Sequence, residues 1–132
     1  MSTTILLIED NVQNRYLATF LLEKIGHRVI SAPDGPQGIA LAETLRPDLI
    51  LLDIQLPGMD GYAVAGALRL LPTLRTTPIV AVTSYAMLGD REKSLAAGCN
   101  GYIEKPINPE TFTEEIARFL PGRPPSPAVS TA

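Results

Sequence analysis

Asp48-Leu49-Ile50-Leu51-Leu52-Asp53 is a run of four consecutive aliphatic residues closed at each end by a carboxylate, and it sets the fold. A strand with one wet face would alternate apolar and polar residues, whereas a continuous run of Leu and Ile belongs inside a parallel sheet covered on both faces. Outward from it the same arrangement recurs. Ile5-Leu6-Leu7-Ile8 ends in Glu9-Asp10, Ile79-Val80-Ala81-Val82 ends in Thr83-Ser84, and Tyr102-Ile103-Glu104 leads into Lys105-Pro106. Strands are therefore expected at residues 4–8, 28–32, 48–52, 78–82 and 101–103. The second and fifth are the least apolar and suit the sheet edges.

Segments of helical period separate these runs. The first helix should begin after Asp10 or Asn11, either of which can cap it. Val12, Tyr16, Phe20 or Leu21 and Ile25 are spaced to form its buried face, and Gly26 is placed to end it. Further helices are expected near residues 37–45, 61–71, 88–97 and 109–120, the first of these weakened by Pro36 and Gly38 at its start. Asp60 reads as the cap of the helix that follows it. Five strand-helix units imply an α/β domain over residues 1–120. From Pro121 the pattern stops, with four prolines in twelve residues and no apolar period, so residues 121–132 read as a disordered proline-rich tail.

Composition narrows the function classes. The chain has 132 residues, of which 45% are hydrophobic, enough for one core without a disulfide or structural metal. A lone Cys99 and a lone His27 rule out a cysteine bridge within the chain and a His-rich or Cys-rich zinc site, and point to a reducing, cytoplasmic setting. Cys99 is expected to pack and His27 to sit in a loop. No apolar run approaches the roughly 20 residues that span a bilayer, and no signal peptide is read at the start. Eleven basic against fourteen acidic residues give a net charge of −3 with the cations scattered, a poor footprint for direct binding of nucleic acid.

In an open parallel sheet, ligands bind beyond the carboxyl ends of the strands. That edge would gather Glu9, Asp10, Asp53, Thr83 and Lys105. Clustered carboxylates repel unless protons or a cation compensate them, and Mg²⁺, with its preference for a few carboxylates plus phosphate and water oxygens, is the economical partner. Phosphate then enters as the ligand, with Thr83 donating a hydrogen bond to one phosphoryl oxygen and Lys105 neutralising another. Asp53 is the candidate nucleophile: a carboxylate is already ionised at neutral pH and forms an acyl phosphate without a general base.

With these residues in place, the sequence resembles the receiver domains of two-component response regulators, including stand-alone receivers. The resemblance covers residues 4–120. It is carried by Glu9-Asp10-Asn11, by Asp53 with Leu56-Pro57-Gly58-Met59-Asp60-Gly61, by Thr83-Ser84 and by Lys105-Pro106. It implies a flavodoxin-like (βα)5 sheet of strand order 2-1-3-4-5 and Asp53 as the phosphorylation site. It implies Mg²⁺ held by Asp10 and Asp53, by Glu9 through water and by the backbone carbonyl of Gln55. Thr83 and Lys105 would bind the phosphoryl group, Lys105-Pro106 would be cis, and Tyr102 would change rotamer as Thr83 moves. Gln55 and Tyr85 would flank the path of attacking water and tune the phosphoryl lifetime. The implied partners are a histidine kinase or histidine phosphotransfer protein upstream and a protein target downstream, in a phosphorelay without an output domain on this chain.

Rival readings are separable. A haloacid-dehalogenase-type phosphatase needs a second acid two residues after its nucleophile, where this chain has Gln55. A nucleotide or flavin binder needs an anion-accepting loop after the first strand, where Glu9-Asp10 would repel phosphate. The closest rival is a docking module with this fold that signals without phosphorylation; the expectation is a phosphoacceptor rather than an enzyme acting on a separate substrate.

Overall fold

The computed structural model describes residues 3–56, 58–84 and 90–120. Pro57, Tyr85, the first part of the expected fourth helix and the expected tail at 121–132 lie outside the described residues. Five strands, β1 (Thr4–Ile8), β2 (Arg28–Ala32), β3 (Leu49–Asp53), β4 (Ile79–Thr83) and β5 (Gly101–Glu104), form one parallel sheet of order β2-β1-β3-β4-β5. This is the expected flavodoxin-like order, with β2 and β5 at the edges.

The reason for the unbroken apolar runs is visible in the packing. Successive strand residues point to opposite faces. Leu6, Ile8, Ile50, Leu52, Ile79 and Ala81 bury one face, while Ile5, Leu7, Leu49, Leu51, Val80, Val82 and Ile103 bury the other. The first face is covered by α2 (Gly35–Leu45), α3 (Gly61–Arg69) and a 3-10 turn at Pro72–Leu74 through Ala42, Val64, Ala65, Leu68 and Leu74. The second is covered by α1 (Val12–Lys24) and α5 (Phe112–Ala117) through Ala18, Leu22, Phe112 and Ile116. The remaining helix, α4 (Asp90–Ala96), precedes β5. Cys99 is a buried packing residue of the first cluster, and His27 is half-buried.

Several local signals read from sequence take effect. Asn11, rather than Asp10, caps α1, its Oδ1 accepting from the Asn14 N–H at 2.9 Å. Gly26, at φ 100°, closes the helix in the left-handed conformation that glycine adopts without strain, and the Gly26 and His27 N–H groups donate back to Glu23 and Leu22. Asp34 caps α2, so Pro36 falls in the first turn where its missing N–H costs nothing, and the helix starts earlier than expected. Gly38 lets that helix lie against β1: a Cβ there would meet Ile8 Cδ1 at 2.5 Å. At the other end of the chain, α5 is shorter than the expected 109–120, because Asn108 Oδ1 accepts from the Glu110 N–H and holds the preceding residues in a turn.

One expectation is overturned. Val12, Tyr16, Phe20 and Ile25 do not form the buried face of α1; they are 66%, 72%, 51% and 51% exposed, and only Leu21, the alternative to Phe20, packs against the second core cluster. The cap at Asn11 and the Arg15 guanidinium, which donates to the Glu9 carbonyl, set the helix rotation so that Ala18 and Leu22 face the sheet. At about 100° per residue, Val12, Tyr16 and Phe20 then fall on the far side. Tyr16 and Phe20 stack there with centroids 6.4 Å apart, and Lys24 Nζ lies 6.0 Å from the Phe20 ring.

At the end of the sheet remote from the strand carboxyl ends, Arg69 ties three segments together. Its guanidinium donates to the carbonyls of Gly98, Leu74 and Thr77 at 2.8, 2.7 and 2.6 Å and to Asn100 Oδ1 at 2.7 Å, while Asn100 Oδ1 also accepts from the Ile79 N–H. An Arg69→Met substitution keeps much of the aliphatic stem and leaves these acceptors without their donor. It is expected to lower unfolding free energy by about 2 kcal/mol or more. Arg75→Met, at an exposed neighbour, should stay within about 0.5 kcal/mol. Equilibrium urea unfolding of both variants checks this, and equal losses would show that the clasp does not matter.

Candidate functional site

The strand ends converge as the polar termini of the apolar runs require. Asp53 and Thr83 are the last residues of β3 and β4, and Glu9 follows β1, anchored by its N–H to the Ala32 carbonyl at 3.0 Å. Lys105 follows β5, its N–H donating to the Thr83 carbonyl at 2.8 Å, and the Lys105-Pro106 peptide is cis, as expected. Glu9 and Lys105 are thus each placed by a backbone hydrogen bond that extends the ladder beyond the regular strand.

Three of the expected metal-site residues come together. Glu9, Asp10 and Asp53 each offer a carboxylate oxygen, and these oxygens lie within 4.8 Å of one another. Glu9 and Asp53 are buried, at 3% and 2% exposure, whereas Asp10 is exposed. Lys105 Nζ bridges the buried pair, 3.1 Å from Asp53 Oδ2 and 3.3 Å from Glu9 Oε1. The backbone completes the cradle: the Asn11 N–H donates to Glu9 Oε2 at 3.2 Å and the Gln55 N–H to Asp53 Oδ1 at 2.9 Å.

The electrostatics follow from this crowding. Burial pushes the Glu9 carboxyl up to about 7, reinforced by its hydrogen bond with and repulsion from Asp53, while the Asn11 N–H and Lys105 pull the other way. Burial works against the Lys105 ammonium as well, but attraction to Asp53 and Glu9 outweighs it and raises the pKa above the usual lysine value. The site thus holds two buried acids with one resident cation. A second cation, or a proton on Glu9, is what the arrangement still accommodates.

Thr83 is buried at the end of β4, one residue past Val82, the partner of Asp53 in the ladder. Tyr102 pairs with Ala81 across β4 and β5, and because Ala81 and Thr83 are two apart they share a face with Tyr102. Tyr102 is half-buried against the first core cluster. Gln55 sits by the acids as expected, with a tie that spacing did not reveal: its side-chain Oε1 accepts from the Ser84 N–H at 3.2 Å, linking the loops after β3 and β4. Asp60 caps α3, with Oδ1 accepting from the Tyr62 N–H. The adjacent Gly61 lets α3 press against the residues after the phosphoacceptor candidate, since a Cβ there would lie 2.4 Å from Ile54 Cα and 2.8 Å from the Asp53 carbonyl oxygen. A glycine at a turn is readable from sequence, but the backbone it must avoid is not.

The comparisons with known proteins agree with this geometry. The polar-differentiation response regulator DivK of Brucella anthropi is 41% identical over 120 residues, covering 91% of this chain and 98% of that protein, and its counterpart in Brucella ovis is 40% identical over the same length. Among solved structures, the chemotaxis response regulator CheY4 of Vibrio cholerae superposes with a TM-score of 0.87 at 29% identity, covering 91% of this chain and all of that one. The receiver domain of a sensor histidine kinase from Pseudomonas aeruginosa, solved with a magnesium ion coordinated in its active-site cleft, gives 0.83 at 38% identity, covering 90% and 98%. The family model for the response regulator receiver domain matches residues 5–117, the span that carries Glu9, Asp10, Asp53, Thr83 and Lys105. With the acids, the lysine and the fold in agreement, the chain belongs to the response regulator receiver domain family of two-component signalling.

Proposed function

We propose that this protein accepts a phosphoryl group on Asp53 from a phosphohistidine donor, with Mg²⁺, and thereby changes its affinity for a protein partner in the cytoplasm. The observation that carries this reading is the position of Lys105 Nζ, 3.1 Å from Asp53 and 3.3 Å from Glu9, with Asp10 alongside. The match to DivK of Brucella anthropi, which covers 98% of that response regulator, supports a receiver domain over residues 1–120.

In the transfer, a carboxylate oxygen of Asp53 bonds to phosphorus as the P–N bond to the donor imidazole breaks, its electron pair leaving with the imidazole nitrogen, which solvent protonates. Three carboxylates within 4.8 Å fit a hard divalent cation, and Asp10, Asp53, Glu9 through water and the Gln55 carbonyl would hold it. When bound it supplies positive charge against the acids and the incoming phosphoryl oxygens. Lys105 neutralises one of those oxygens and Thr83 donates to another. Drawing Thr83 toward the phosphoryl group alters the space beside Tyr102 on the same face, which couples the chemistry to β5 and its neighbouring helices. Gln55, tied to Ser84, flanks the route of water that returns Asp53 to its free state. Donors would dock on the exposed face of α1, whose N-terminal end abuts the acids and which presents Val12, Tyr16 and Phe20 as an apolar stripe. The rival reading, a docking module that works without phosphorylation, leaves the Lys105-acid cluster without a use.

Incubation with a small phosphodonor and Mg²⁺ is expected to add one phosphoryl group to the intact mass, and Asp53→Asn or omission of Mg²⁺ should abolish the gain. A folded protein that gains nothing would favour the phosphorylation-independent module. Lys105→Met, which leaves the two buried acids without their cation, should lower stability by about 2 kcal/mol without Mg²⁺. Mg²⁺ should restore part of that loss, and a thermal melt with and without the ion reads both. Phe20→Asp should slow transfer from a phosphohistidine protein by about tenfold, an interface loss near 1.4 kcal/mol, while labelling by the small donor is unchanged. Equal slowing of both reactions would place Phe20 in the fold rather than in donor docking.

A further inference from the structure

A cavity of about 230 Å³ opens between α4, β5 and α5, lined by Ser94, Leu95, Asn100, Gly101, Tyr102 and Phe119. It is separate from the acidic edge and lies toward the start of β5. Gly101 creates it in part: a Cβ there would meet Phe119 Cζ at 2.4 Å, so the missing side chain lets the phenyl ring lie on the strand. Leu95 is 47% exposed beside it. Ser94, in the cavity wall, is 1% exposed, and its buried hydroxyl has no hydrogen-bond partner among the described residues. Such groups are rare, because a buried hydroxyl without a partner is costly. Two aromatic rings, an exposed leucine and a hydroxyl seeking an acceptor are the features that recognise an extended proline-rich segment, whose rings stack on aromatics and whose carbonyls are free of internal hydrogen bonds. The volume, below the roughly 300–1,000 Å³ of clefts that take drug-sized ligands, suits one or two side chains instead.

The chain carries such a segment at the right place. Leu120 is the last described residue, next to Phe119 of the cavity wall, and the sequence continues Pro121-Gly122-Arg123-Pro124-Pro125-Ser126-Pro127-Ala128-Val129-Ser130-Thr131-Ala132. Twelve residues of polyproline geometry reach about 37 Å, far more than the cavity requires. Covalent attachment also gives the segment a high effective concentration there. We propose that residues 121–132 dock in cis into the cavity between α4, β5 and α5, with a proline ring against Tyr102 and Phe119 and a segment carbonyl accepting from Ser94, so that the tail shields this face from protein partners. The docking is independent of the chemistry at Asp53 and would survive the failure of the phosphoacceptor reading.

The test is NMR of the full-length chain with a nitroxide on Ser130→Cys. Cys99 does not compete for the label, since it is buried and its thiol is pushed up to about 11. Docking predicts at least a twofold loss of amide intensity at Leu95, Gly101 and Tyr102. It also predicts order parameters at Arg123, Ser126 and Ala128 near those of the folded domain, falling below about 0.6 in the Pro124→Ser, Pro125→Ser double variant. Order parameters already below about 0.6 in the unsubstituted tail, with no broadening at the cavity, would overturn the proposal. Broadening that appears equally when the label and the isotope are on different molecules would also overturn it, by showing the tail on a second copy.

Discussion

Two carboxylates buried at the same end of a parallel sheet repel each other and lose their hydration, and the structure answers both costs with one ammonium group. Lys105 Nζ lies within 3.3 Å of Glu9 and Asp53 at once. That bridge needs Lys105 to extend β5 along β4, which its backbone bond to the Thr83 carbonyl provides, and it needs both acids to lie beyond adjacent central strands, which the order β2-β1-β3-β4-β5 provides. A charge that fits so closely between two acids also leaves the site poised. Anything that brings more positive charge relieves Glu9, and anything that brings negative charge must recruit a further cation.

The rest of the fold can be read as support for that edge. Glycines stand where helices approach the strands most closely, at Gly38 against Ile8 and at Gly61 against Ile54 and the Asp53 carbonyl. Arg69 fixes the opposite end of the sheet by gathering three carbonyls from the loops before β4 and β5. The Gln55 to Ser84 hydrogen bond joins two of these loops across the mouth of the site.

Two surfaces remain apolar outside the core. The α1 stripe of Val12, Tyr16 and Phe20 leads away from the acids, while the cavity at Tyr102 and Phe119 lies at the β5 edge of the sheet, between α4, β5 and α5. A domain of this size cannot bury every large side chain, and among the described residues Val12, Tyr16 and Phe20 are left exposed together while Leu70 is exposed by itself.

Sequence alone determined the sheet, because continuous apolar runs such as Leu49 to Leu52 have no stable place except between two layers of helices. It also determined the candidate site, since each run ends in a polar residue and the ends of parallel strands lie on one edge. Caps at Asn11 and Asp60 act through neighbours three and two residues away, so they too were legible. The rotation of α1 was not. A 3.6-residue period marks which residues share a face, but both Val12-Tyr16-Phe20 and Ala18-Leu22 satisfy it, and it is the packing of Ala18 and Leu22 into the second core cluster, with the Arg15 tie to the Glu9 carbonyl, that selects the second. The Arg69 clasp, the Lys105 bridge distances, the Gln55 to Ser84 tie and the Ser94 cavity join residues far apart in the chain. Such contacts depend on where the packed elements come to rest, which local spacing does not encode.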